Sequence, residues 1–84
     1  MQTNVNLIKY EPIRDKQEKN LIRLIILSLR GKHVDAFECT LIARKEFGLI
    51  IDWHEFSNIL DYMERIGEIK FISINHNGAR IYQP

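Results

Sequence analysis

The chain has 84 residues, 45% of them hydrophobic and 27% charged, with a formal net charge of +1. Such a composition is too apolar for intrinsic disorder and is that of one small globular domain. The single cysteine, Cys39, excludes an intramolecular disulfide and a thiolate cluster for structural zinc.

The first predicted element is an N-terminal arm or edge strand over residues 1–14. Its apolar residues alternate weakly, with Val5 and Leu7 on one side and Ile8 and Tyr10 on the other. A frayed terminus is the alternative, because chain ends are disordered unless other elements hold them.

The first predicted helix covers residues 16–30, within a segment of 15–31. Asp15 and Glu18 have the spacing of a capping box, in which two side chains satisfy backbone N–H groups at the helix start, and Gly31 supplies the stop. This helix is apolar around most of its circumference, so more than one of its sides must be covered. The cover is either the N-terminal arm or a second subunit. We favour a homodimer with an interface formed by Ile22, Ile26 and Leu29.

Residues 32–34 are long enough only for a short strand, and the second predicted helix follows at residues 36–47, within a segment of 35–48. Asp35 and Glu38 repeat the capping-box spacing, and Gly48 supplies the stop. The apolar side chains spread around the helix axis, which predicts a largely buried helix. They are Phe37, Leu41, Ile42, Ala43 and Phe47.

The third predicted helix occupies residues 52–67. Asp52 and Glu55 again have the capping-box spacing, and Gly67 ends the helix. Apolar residues recur at steps of three and four and predict one buried stripe, with Trp53 at its margin. The stripe consists of Phe56, Ile59, Leu60, Met63 and Ile66. The opposite ridge is polar and must face water or a partner.

Residues 69–83 predict a β-hairpin. Residues 69–74 alternate between two faces, and residues 79–83 supply the second strand. Between them, Asn77-Gly78 is a strong hairpin signal, because both residues tolerate the positive φ that such turns require.

This order of elements resembles the winged-helix variant of the helix-turn-helix, as found in small prokaryotic or viral transcriptional regulators. In bacterial and archaeal members, the second helix often carries an apolar-Ala pair and closes on an apolar-Gly pair, where this chain has Ile42-Ala43 and Phe47-Gly48. The third helix of the family has apolar residues at fixed spacings, followed by a glycine and an aliphatic strand. This chain has residues of these types at the same spacings, namely Phe56, Leu60, Met63, Gly67 and Ile69. The resemblance implies an α+β fold, with residues 1–84 forming a single winged-helix domain.

The resemblance further implies that the third helix is the recognition helix in the major groove of DNA, and that the hairpin is a wing on the backbone or minor groove. Asn can pair with adenine, and short donors near a helix N-terminus suit phosphate. The candidate DNA contacts are His54, Ser57, Asn58, Asp61 and Arg65 on the helix and Asn75, His76, Asn77 and Arg80 on the wing. A merely solvated face is the alternative for these residues.

The charge distribution leaves two functions open. Residues 1–45 hold nine Lys and Arg against five Asp and Glu, whereas residues 46–84 hold three against six, and the third helix is net acidic. The first function is sequence-specific binding of double-stranded DNA by a small dimeric transcriptional regulator. The second is a winged helix that docks its acidic third helix on a basic protein partner, without DNA.

Other functional classes find no support in the sequence. There is no Gly-rich phosphate loop, nucleophile elbow or acid–base pair beyond the capping carboxylates, so we expect neither an enzyme nor a cofactor. The three histidines are scattered, which predicts no metal site. The longest apolar run is far too short to cross a bilayer, and the polar N-terminus lacks a signal-peptide core, so we expect a cytoplasmic protein.

Overall fold

The computed structural model describes residues 16–84. The arm or strand predicted for residues 1–14 and the cap predicted at Asp15 therefore lie outside the described residues. Three helices precede two antiparallel strands: α1 Lys16–Leu27, α2 Ala36–Phe47, α3 Trp53–Arg65, β1 Lys70–Ile74 and β2 Arg80–Gln83. This order confirms the predicted α+β class and fits a winged-helix fold.

Helix α1 and the turn after it contribute four buried side chains to the core, and their burial contradicts the predicted dimer interface. Ile22, Ile26 and Leu29 are only 0%, 0% and 5% exposed, and they belong to one core cluster with side chains of α2 and α3. Much of the apolar circumference of α1 is thus covered by elements of its own chain, while Leu21 and Leu24 stay 39% and 64% exposed. The helix also ends three residues earlier than predicted, at Leu27, and continues as a turn in which Lys32 N–H donates to Leu29 O at 3.0 Å.

The burial of individual side chains corrects two further predictions. Four residues of the predicted α3 stripe are buried, namely Phe56, Ile59, Leu60 and Met63, but Ile66 is half exposed because it lies at the C-cap, beyond the last helical turn. In α2, only Cys39 and Ala43 are fully buried. The prediction that α2 is largely buried is wrong, since three of its large apolar side chains face outward: Phe37, Leu41 and Phe47.

The hydrogen bonds at the helix ends show which of the predicted caps form. At the start of α2, Asp35 Oδ1 accepts from Glu38 N–H at 2.8 Å and Glu38 Oε1 accepts from Asp35 N–H at 3.2 Å, which confirms the capping box. At the start of α3, Asp52 makes no side-chain cap bond, so the box predicted there is wrong. Its carboxylate lies 3.0 Å from His54 Nδ1 instead. At the end of α3, Gly67 adopts a φ of +86° and its N–H donates to Glu64 O, as in a Schellman motif.

The strands form a small sheet with one open edge. β1 and β2 pair from Lys70 opposite Gln83 to Ile74 opposite Arg80, with a bulge that interrupts the predicted alternation between Phe71 and Ser73. The short strand predicted at residues 32–34 is a single bridge, in which Val34 exchanges two backbone hydrogen bonds of 2.8–2.9 Å with Tyr82. β2 therefore has a partner on both sides, and β1 is the edge.

The hairpin turn differs from the predicted one. Asn75 N–H donates to Ala79 O at 2.8 Å and Gly78 N–H donates to Asn75 O at 2.9 Å, so the loop between the paired ends has three residues. Among the described residues, only glycines have positive φ, and Gly78 at +87° is the one in this loop. The positive φ expected at Asn77 is not needed, because a three-residue loop places a single left-handed residue after a type I turn.

Asn75 holds this turn, and replacing it with alanine should reduce the free energy of unfolding by about 1–2 kcal/mol. Its Oδ1 accepts from the backbone N–H groups of Asn77 and Ala79 at 2.8 and 3.0 Å, and its Nδ2 donates to Asp35 Oδ2 at 3.3 Å. Urea unfolding followed by circular dichroism measures the loss. Asn77→Ala is the matched control, with an expected change below about 0.5 kcal/mol. Equal effects of the two substitutions would contradict this role.

Candidate nucleic-acid interface

The polar ridge of α3 points away from the core. His54, Asn58 and Arg65 are exposed and Asp61 is partly exposed, and all four follow one another at steps of three or four residues. The core side chains Phe56, Leu60 and Met63 occupy the opposite face of the same helix. The side chains predicted to contact a ligand from α3 are therefore presented together on one surface.

Charged groups on this ridge are paired with their neighbours. Arg65 Nη1 lies 3.2 Å from Asp61 Oδ2 at the i, i+4 spacing, and His54 faces the Asp52 carboxylate. Including Asp52 at the N-cap, the helix presents four carboxylates and a single Arg, the others being Glu55, Asp61 and Glu64. The ridge offers a ligand hydrogen-bonding groups in an acidic setting.

An aromatic stack stands at the start of α3. The Trp53 ring lies between the rings of Phe37 and His54, with centroid distances of 4.9 and 3.8 Å. Phe37 belongs to α2, so the stack joins the first turns of the two helices. The sequence placed Phe37 in the core, and no local signal distinguishes a core phenylalanine from one that stacks on a partly exposed tryptophan.

A groove of about 380 Å³ separates the starts of α2 and α3 from the hairpin turn. It brings together four of the predicted site residues: Ser57, Asn75, Asn77 and Arg80. The other five predicted residues do not line it, namely His54, Asn58, Asp61, Arg65 and His76. The start of α2, the start of α3 and the hairpin turn thus face one common space.

Arg80 is held against its own hairpin. Its guanidinium lies 4.1 Å from the centroid of the Phe71 ring, and its Nε donates to Tyr82 Oη at 2.9 Å. Its Nη2 lies 3.9 Å from Glu64 Oε1 on α3. The hydrogen bond to Tyr82, before any other cause, raises the pKa of Arg80. Arg80 therefore ties the sheet to α3, and Asn75 is committed to the turn. The wing side chains that remain for a ligand are those of His76 and Asn77.

Two cations of α1 flank the other side of α3, and the sequence reasoning did not single them out as neighbours of that helix. Lys19 and Arg23 line a second groove of about 650 Å³ together with Asn58 and Tyr62. Arg23 also forms an ion pair with Glu68, with 3.2 Å between Arg23 Nε and Glu68 Oε1. Part of the basic N-terminal half is thus placed beside the acidic helix. Only the tertiary fold creates this proximity.

Residues 16–84 contain no group of three or more His, Cys, Asp and Glu side chains arranged to hold a metal ion. None of the helices in this part of the chain is long and apolar enough to cross a membrane. Comparisons with protein-family models, with curated proteins and with solved structures find no match to this chain.

Proposed function

We propose that this chain binds double-stranded DNA, with α3 in the major groove and the hairpin turn on the backbone, and that it acts as a sequence-specific transcriptional regulator. The observation that carries the proposal is the outward polar ridge of α3 beside an ordered hairpin. An α-helix fits the major groove, where base edges present distinct patterns of donors and acceptors. His54 and Asn58, on the exposed face of α3, supply groups that read such patterns.

Phosphate contacts would come from the elements on either side of the ridge. On one side, Lys19 on α1 lines the same groove as Asn58. On the other side, Ser57 and Asn77 face the groove between α3 and the hairpin turn. Hydrogen bonds to phosphate position a protein on the duplex, and contacts to base edges give the sequence preference.

The carboxylates of α3 set the expected strength of binding. Neutralised phosphates supply most of the non-specific affinity of DNA-binding proteins, and Asp52, Glu55 and Asp61 repel phosphates. We therefore expect weak binding to random-sequence duplex, detectable at low salt and lost as the salt concentration rises. A fluorescence-anisotropy titration of a labelled 20-base-pair random duplex at about 20 mM and about 200 mM NaCl measures this dependence. Binding that is absent at the lower salt concentration would overturn the proposal.

Replacing Asp61 with asparagine should raise the affinity for random duplex by about three- to tenfold at low salt. The change removes a carboxylate from the ridge and releases Arg65 from its ion pair. The same titration measures the effect. Glu46→Gln removes an equal charge from an exposed position at the end of α2, on a different helix from the ridge, and is the matched control. Similar affinities for the two variants would contradict the placement of α3 on DNA.

The acidic surface of α3 also favours a second candidate, a module that docks on a basic protein. In that case the carboxylates around Asp61 are the contact groups, and the ridge does not touch DNA. Titration with a labelled oligolysine peptide separates the two functions. Peptide binding that is lost in Asp61→Asn, together with no binding of duplex at low salt, would establish the second candidate.

A further inference from the structure

The outer face of α2 carries exposed apolar side chains, of which Phe37 also stacks on Trp53. Phe37 and Leu41 lie one helical turn apart and are 52% and 60% exposed. Cys39 and Ala43 hold the opposite face of the helix in the core. Arg44 and Lys45 follow on the outer side, and among residues 16–84 neither forms an ion pair. This face combines exposed apolar area with unpaired charge.

We propose that this face binds a second copy of the same chain, with the two α2 helices antiparallel and a two-fold axis at Leu41. Such an interface uses one patch on both subunits, so the patch must be complementary to itself. In an antiparallel pair with its axis at Leu41, the residues before Leu41 lie at the same height as the partner's residues after Leu41. The turn that contains Phe37 and Glu38 therefore lies beside the turn of the partner that contains Arg44 and Lys45. At 100° per residue, Phe37 and Arg44 lie on one side of Leu41, and Glu38 and Lys45 lie on the other.

This arrangement matches opposite groups across the axis. Glu38 lies beside the partner's Lys45, and Phe37 lies beside the partner's Arg44, where a guanidinium can sit over an aromatic ring. Each contact occurs twice because of the symmetry. Glu38 is suited to this role, since its Oε1 accepts from the Asp35 N–H in the capping box and no described hydrogen bond uses its Oε2. The two leucines meet at the axis and exclude water.

The strand β1 is another exposed apolar surface, and it lacks this complementarity. Phe71, Ile72 and Ile74 are exposed there, but the only charged residue of β1 is Lys70, so a second copy of the strand offers it no opposite charge. The bulge between Phe71 and Ser73 also interrupts the ladder that a second strand would extend. The charge pattern therefore favours α2 over β1 as the contact.

Sedimentation velocity tests the interface directly. A single helix pair buries a small area, so we expect a dimer with a dissociation constant on the order of 10–100 μM. Leu41→Glu should be monomeric across this range with an unchanged circular-dichroism spectrum. Leu24→Glu, at a 64% exposed position on α1, is the matched control and should leave the dimer intact. A monomeric wild-type protein at several hundred micromolar, or a dimer that survives Leu41→Glu, would overturn the proposal.

A mixing experiment tests the antiparallel register. Glu38→Lys and Lys45→Glu each place like charges across the axis, so each variant alone should be monomeric. Mixed in equal amounts, the two variants should form a heterodimer, because both cross-axis pairs then carry opposite charges. Thermal unfolding of each variant verifies that it is folded, since Glu38 also belongs to the capping box. Failure of the mixture to associate more strongly than either variant alone would overturn the register.

Discussion

Replacing Phe56 with alanine is expected to reduce the free energy of unfolding by about 3–5 kcal/mol. Phe56 is 0% exposed and is the largest fully buried side chain of the described residues. Its removal takes apolar area from the core and leaves a cavity among tightly packed neighbours such as Leu60 and Met63. Small domains have a total stability of only about 5–10 kcal/mol, so this loss removes a large share of it. Urea unfolding monitored by Trp53 fluorescence and by circular dichroism measures the loss.

The control for this substitution is another phenylalanine. Phe47 lies at the end of α2 and is 43% exposed, so Phe47→Ala removes the same atoms from a site that water already reaches. The expected loss is below about 1 kcal/mol. Equal losses at the two positions would show that Phe56 does not occupy the centre of the core.

The contrast between these two residues explains how much of the fold the sequence predicts. The apolar stripe of α3 repeats at helical spacing and lies opposite a polar ridge, so only one orientation of the helix buries the stripe. Phe56 and its neighbours were therefore placed correctly. A helix with apolar residues on most sides can pack in several orientations, against its own chain or against another subunit. In α1 most of the apolar side chains pack against the chain's own core and Leu24 is exposed, and in α2 the outer face is exposed. Periodicity identifies the apolar residues that require a packing partner, but it does not identify that partner.

The candidate site was predictable to the extent that it depends on helix periodicity. The ridge from His54 to Arg65 followed from the α3 pattern and lies on the exposed face. The sequence did not predict the contacts that hold two of the wing residues within the fold. Asn75 reaches Asp35 across 40 positions of sequence, and Arg80 packs on Phe71 and Tyr82. From sequence, a polar side chain in a hairpin is expected to face solvent. Only the tertiary structure shows that Asn75 and Arg80 contact other residues of the chain.

The buried thiol of Cys39 provides a second large effect, on the pH dependence of stability. Burial, with smaller contributions from the carboxylates of Asp35 and Glu38, raises the pKa of Cys39 from 9.0 to about 12. Above about pH 9 the unfolded chain loses this proton while the native chain keeps it. Ionisation therefore favours the unfolded state, and stability falls by about 1.4 kcal/mol per pH unit between roughly pH 9 and pH 12. Stability is unaffected by this group below pH 9.

Comparison with Cys39→Ala isolates that contribution, because the tyrosines and lysines titrate equally in both proteins. The stability difference between wild type and variant, from urea unfolding at pH 8, 9, 10 and 11, should move in favour of the variant as pH rises. A difference that is independent of pH would contradict the raised pKa.

The same burial should protect Cys39 from alkylation. At pH 8 a native thiol with this pKa and no exposed area cannot react from the folded state, so iodoacetamide should modify it only during unfolding. The native rate should be at least about 10³-fold lower than the rate in concentrated urea, since an unfolding free energy of about 5 kcal/mol leaves roughly one molecule in several thousand open. Mass spectrometry of samples quenched over time measures both rates. In Phe56→Ala the protection should largely disappear, because Cys39 and Phe56 share one core. Protection that persisted in this variant would show that Cys39 is shielded by a local structure that does not depend on the packing around Phe56.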